Sequence, residues 1–106
     1  MIERHWKGIC KPEHAARYRD HLTNDTFKQL AKIAGYRGAR ILSREVNTGT
    51  EFLVVTLWDS LEVIRQFSGP DITRAIVPEP VQEMMVSYDQ TAIHYDLMPI
   101  PAFKDS

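Results

Sequence analysis

Residues 2 to 10 alternate in size and polarity and then meet Lys11-Pro12-Glu13, where proline at a first helical position and an acid in the first turn signal a helix. The pattern predicts a first strand passing into a first helix. Ala15, Tyr18 and Leu22, and then Phe27, Leu30, Ala31 and Ala34, recur at helical spacing, while Thr23-Asn24-Asp25 between them can cap a fresh start. A helix broken or kinked near Asn24 and ending at Gly35 is expected. From Arg37 to Val46 alternation returns, Asn47-Thr48-Gly49-Thr50 supplies a turn with a glycine for positive φ, and Glu51 to Trp58 is rich in branched and aromatic residues. These read as a hairpin. Asp59-Ser60 caps a short second helix with Leu61, Ile64 and Phe67 on one face, and Gly69-Pro70 stops it. Asp71 to Ser87 contains Pro78 and Pro80 and can carry only brief helical turns, whereas Tyr88 to Leu97 alternates as a closing strand.

The order strand, helix, strand, strand, helix, strand is the ferredoxin-like βαββαβ plan: an α+β domain with a four-stranded antiparallel sheet and both helices on one face. It occupies residues 1–97. A tail, 98–106, contains Pro99 and Pro101 and cannot continue a central strand. Alternation divides each strand between two faces. Leu53, Val55 and Leu57, with Ile93, Tyr95 and Leu97, are expected against the helices. Ile2, Arg4, Trp6 and Gly8, with Phe52, Val54, Thr56 and Trp58 and with Ala92, His94 and Asp96, are expected on the uncovered side. A face bearing Trp6, Phe52, Val54 and Trp58 is too apolar for water, so a homodimer is expected, two sheets closing a barrel around an apolar pocket.

Charge removes other classes. Thirteen basic and fourteen acidic residues, interspersed, give a net charge of −1 and no basic stripe or polybasic run, so neither nucleic acid nor membrane is expected as a partner. The opening Met1-Ile2-Glu3-Arg4-His5-Trp6-Lys7 lacks the apolar stretch of a secretory signal, and a cytoplasmic location is expected. The one cysteine, Cys10, reads as a small apolar residue at a strand end.

The run Leu57-Trp58-Asp59-Ser60-Leu61-Glu62, a hydrophobic strand entering a capped helix, resembles the central signature of the antibiotic biosynthesis monooxygenase family of dimeric α+β barrels. The resemblance extends over residues 1–97, through the opening strand, the Lys11-Pro12 helix start and the closing Ile93-His94-Tyr95. It implies a fold that hosts oxygenases, heme-degrading enzymes and lactone isomerases. In the heme-degrading members a ligating histidine and a bulky tryptophan stand where this chain has Val77 and Phe67, and Val77 cannot bind iron. The oxygenases that need no cofactor have a tryptophan matched by Trp58, but an asparagine where this chain has Val54 and a tyrosine where it has Ile64. A different substrate geometry follows.

Among individual residues, His94 is a candidate general base and Arg4 a candidate holder of an enolate or phenolate charge. The plainer readings are a hydrogen-bonded structural histidine and a salt bridge from Arg4 to Asp96. Trp6 and Trp58 can stack on a flat ligand, with Phe52, Val54, Thr56, Ile64 and Phe67 completing the pocket, although strand aromatics are more often core. His14 and His21 lie two turns, about 10 Å, apart on one helix face, too far to share a metal ion, and read as solvated surface residues. No flavin, phosphate-loop or metal motif is present, so no cofactor is expected. The leading reading is a cofactor-independent oxygenase acting on a small aromatic or enolisable compound. A non-catalytic dimer that binds a hydrophobic metabolite, and a proton-transfer isomerase, are the alternatives. Trp58 and His94 carry the catalytic reading only if they share an open face; Trp58 beneath the helices would leave the fold alone standing.

Overall fold

A computed structural model describes residues 1–99. Strand β1 (Ile2–Cys10) leads through a 3-10 turn (Pro12–His14) into α1 (Ala15–His21), a π-helical turn (Leu22–Thr26) and α2 (Phe27–Leu30). The hairpin β2 (Tyr36–Val46) and β3 (Gly49–Trp58) follows, then α3 (Leu61–Ser68), α4 (Glu79–Met84), β4 (Met85–Tyr88) and β5 (Ile93–Asp96). All strand pairings are antiparallel in the order β2-β3-β1-β4, with β5 also on β1.

The closing strand expected from Tyr88 to Leu97 is realised as β5, and a second strand, β4, begins earlier on the same edge at Met85, within the stretch expected to carry only brief helical turns. β4 opposes Gly8–Cys10 and β5 opposes Ile2–His5. Between them the chain leaves β1 to pair with the segment before α4, where Ala75 N–H donates to Gln90 O (3.0 Å) and Ala92 N–H to Thr73 O (2.8 Å). The sheet has five strands in place of four, although only four positions across.

Local signals are mostly realised. Ser60 caps α3, its hydroxyl accepting from Val63 N–H at 3.3 Å. The disturbance expected near Asn24 is a π turn rather than a capped restart: Thr23 Oγ1 donates back to Arg19 O (3.1 Å), and the helix ends at Leu30, well short of Gly35. Val46 opposes Gly49, so Asn47-Thr48 alone make the turn and Gly49 is a strand residue without positive φ. What requires glycine there is a close approach, since a Cβ would stand 2.1 Å from Cys10 O. Cys10 is buried at its strand end, as expected.

The two faces of the sheet are exchanged relative to expectation. Register aligns Ile2 with Trp58, Arg4 with Thr56 and His94, Trp6 with Val54, and Gly8 with Phe52. These residues pack under the helices, Phe52 and Val54 against Tyr18, Leu22, Val81 and Met84, and Ile2 and Trp58 against Leu30 and Ile64. Glu3, His5 and Lys7, with Leu53, Val55, Leu57, Ile93 and Tyr95, occupy the uncovered face. The reason is volume: both sets are apolar enough to alternate plausibly, but the set with the large rings fills the gap between sheet and helices, which favours its burial by several kcal/mol. Among the described residues no helix is long and apolar enough to cross a membrane. Of the expected tail, Met98 and Pro99 carry no strand, and the remainder, with Pro101, lies outside the described residues.

Candidate functional site

Between the covered face and the helices lies a cavity of about 120 Å³, comparable to engineered apolar cavities of roughly 150 Å³ that admit one benzene ring. Arg4, Trp6, Val54 and Thr56 make its sheet side. The first helix supplies Tyr18, His21, Leu22, Thr26, Phe27 and Leu30. Phe67, the segment Ala75 to Pro78, and Val81 close the remaining side.

The π turn explains how one helix contributes such a long wall. In an unbroken α-helix the twelve-residue step from Tyr18 to Leu30 is about three and a third turns, which would put them a third of a turn apart. Five residues in one wider turn absorb most of that excess, so Tyr18, Leu22 and Leu30 look into the same space.

Arg4 is the charged group of the site, and it is 5% exposed. It lies in the cross-sheet row Ala39, Thr56, Arg4, His94. Its Nη1 donates to Ile72 O (2.5 Å) and to His94 Nε2 (2.9 Å), its Nη2 donates to Arg74 O (2.9 Å), and its guanidinium carbon stands 5.5 Å from the Phe67 ring centre. The expected alternative of a salt bridge to Asp96 is not formed; no carboxylate among the described residues is within ion-pair distance of Arg4. Burial lowers its pKa to about 10, which leaves it charged at neutral pH.

Because Arg4 can only donate, His94 Nε2 must accept, which fixes the imidazole as neutral with its proton on Nδ1. Burial, and then the Arg4 charge, lower the His94 pKa further from its ordinary value. His94 does not line the cavity, and its Nε2 lone pair is already committed. The structure thus makes it a partner that orients Arg4, in line with the structural reading.

The other expected site residues divide. Trp6, Val54, Thr56 and Phe67 line the cavity. The Trp6 Nε1–H donates to Asp89 O (2.8 Å), and its ring lies so close over Gly8 that a Cβ there would come within 2.8 Å of it. Phe52, Ile64 and Trp58 are core residues that do not reach the cavity. Trp58, 0% exposed, stacks on Phe67 (6.1 Å between centres) and donates Nε1–H to Thr56 Oγ1 (2.8 Å). It holds Thr56 in place and cannot touch an occupant. Trp58 is beneath the helices, so the scheme that set Trp58 and His94 around a substrate on the open face is overturned, and function has to be rebuilt from the covered cavity.

That cavity contains groups the sequence reading did not assign to the site. His21 is not a solvated surface residue: its side chain is 23% exposed, its ring stacks with Tyr18, and its Nδ1 is 3.8 Å from Asp25 Oδ2. Tyr18 is buried edge-on against Phe52, and burial, then Cys10, push its phenol pKa up, keeping the hydroxyl protonated. The available signal was the interrupted helical pattern at Thr23-Asn24-Asp25, beside which both residues lie. Val77, at the position the resemblance reserves for a heme ligand, does line the cavity, and offers only methyl groups.

No family model and no curated protein sequence matches the chain. Solved structures do match, among them two crystal structures of proteins named "putative antibiotic biosynthesis monooxygenase". The one from Deinococcus radiodurans has a TM-score of 0.70 and 19% identity over 97% of this chain and 98% of its own. The one from Bacillus cereus has a TM-score of 0.67 and 15% identity over 99% and 98%. The chain has the fold of these antibiotic biosynthesis monooxygenase structures over nearly its whole length.

Proposed function

We propose that the chain is a cofactor-independent oxygenase of a small aromatic or enolisable compound, which binds in the covered cavity as its anion. The observation that carries this reading is Arg4: a buried guanidinium without a carboxylate partner, at the wall of an otherwise largely apolar cavity. A buried cation left with carbonyl partners and a neutral imidazole strongly favours an anionic or anion-forming ligand. Trp6, Phe27 and Phe67 suit a planar ring beside it. Loss of a proton at Arg4 makes such a ligand electron-rich enough to reduce oxygen itself. For an activated CH2 group of such a compound, one oxygen atom becomes the product carbonyl and the other leaves as water with the two hydrogens, with no outside reductant.

The test is oxygen uptake with a panel of phenols and enolisable single-ring compounds, alongside tryptophan emission as a binding signal. Binding with stoichiometric oxygen consumption supports the oxygenase. Binding without consumption leaves a sequestering protein, and isomerised product without oxygen uptake leaves an isomerase. Absence of binding overturns the reading.

A second copy of the chain is the partner we propose for the uncovered face. Ile93 and Tyr95 are 53% and 52% exposed there beside Leu53, Val55 and Leu57. Sedimentation equilibrium should give twice the 12.2 kDa chain mass, and Ile93→Asp should restore the monomer while keeping the far-ultraviolet circular dichroism of the fold.

A further inference from the structure

We propose that His21 is the proton acceptor of the cavity, receiving the acidic hydrogen of a phenol, enol or activated CH2 group whose anion Arg4 then holds. The inference rests on the reading that such a ligand enters the cavity. Three titratable side chains line it: Arg4, Tyr18 and His21. Arg4 has no lone pair to offer, and the buried Tyr18 phenol keeps its own proton. His94 is spent on Arg4 and stands outside the lining. His21 alone combines a place in the lining with a ring nitrogen able to accept a proton.

Its placement supplies the rest of a proton path. His21 closes α1 immediately before the π turn, and that turn carries Asp25 back onto the same side. Nδ1 faces the Asp25 carboxylate at 3.8 Å, so Nε2 is the nitrogen left for the cavity. Asp25 is 59% exposed and His21 partly so, which gives the proton an exit to water. In the step itself the ligand's O–H or C–H bond breaks, its electron pair stays on the ligand opposite Arg4, and the proton binds His21 Nε2. No oxidant or reductant takes part. Asp25 from the π turn and Tyr18 from α1 are the charged or titratable groups against the ring, and Arg4 from β1 lines the same cavity.

The experiment is nitrogen NMR of the full chain labelled at histidine, titrated with 4-nitrophenol, whose anion absorbs in the visible. On saturation at neutral pH the His21 ring should show the imidazolium pattern in the complex, while His94 keeps a neutral ring. In His21→Gln the bound ligand should lose its phenolate band roughly tenfold near neutral pH, with alkaline affinity within about threefold of wild type. A His21 ring that stays neutral in the complex, or a phenolate band unchanged in His21→Gln, overturns the inference and leaves the ligand reading standing. Failure of the wild type to bind 4-nitrophenol overturns both. The NMR titration needs no variant, so it decides the matter even if His21→Gln folds poorly.

Discussion

The two faces of this sheet handle charge in opposite ways. On the uncovered face Arg44 meets Glu51 at 2.7 Å, Arg40 meets Glu3 at 3.3 Å, and His5 meets Glu3 at 2.9 Å. Each is an ordinary cross-strand or same-strand pair, with the arginines largely in water. On the covered face the cation lining the cavity, Arg4, is buried and paired with carbonyls and an imidazole. Water screens the first kind of charge, whereas the second is stabilised by neutral dipoles. The lesson is that the same strands carry screened, paired charge on one face and a buried, carbonyl-held charge on the other, which is why the proposed site is sought on the covered face.

The largest effect that would test this contrast is at Trp58. Trp58→Ala should cost about 3–5 kcal/mol in urea unfolding, because it empties a fully buried site, while Leu57→Ala on the other face should cost much less in the monomer. Equal losses would mean that the faces are wrongly assigned. Next is Arg4→Met, expected to weaken binding of a phenolate by at least about tenfold. Arg40→Met, on the uncovered face, should leave that binding unchanged, and parallel losses in both would remove Arg4 from the site.

The pH dependence sharpens the comparison further. His94 in the folded chain has a pKa below the ordinary 6.5, so the unfolded chain takes up the proton first. Its contribution to stability is complete above about pH 6.5 and is lost as pH falls through the folded value. His94→Gln should flatten that fall in a series of melting temperatures, and an unaltered slope would mean that the contact with Arg4 does not hold His94 neutral. The smallest effect expected is at Arg44→Ala, where the pair with Glu51, its guanidinium largely in water, should leave the melting temperature essentially unmoved.

Several parts of the molecule were legible from residue order because their causes are local. Pro12 after a strand, Ser60 with Val63 three residues on, and the alternation on either side of Asn47-Thr48 each draw on hydrogen bonds and torsions within a few residues. The site was half legible. Arg4, Trp6, Val54, Thr56 and Phe67 do line one cavity, because alternation places the sheet residues on a common face in either assignment. The break in the last strand was not readable, because its cause is Thr73 and Ala75, more than a dozen residues upstream, competing for the backbone of Gln90 and Ala92.

By itself the sequence determined the order of elements, the antiparallel plan and which strand residues share a face, since these follow from periods of two and about 3.6 and from turn chemistry. Tertiary structure decided which face the helices cover, because that choice compares two complete sets of side chains for fit against the same helices. It also decided that His94 is bound to Arg4 and that His21 opens on the cavity. The first depends on a register between β1 and β5, the second on a π turn that rotates one half of a helix against the other, and neither is encoded by the spacing of residues along the chain.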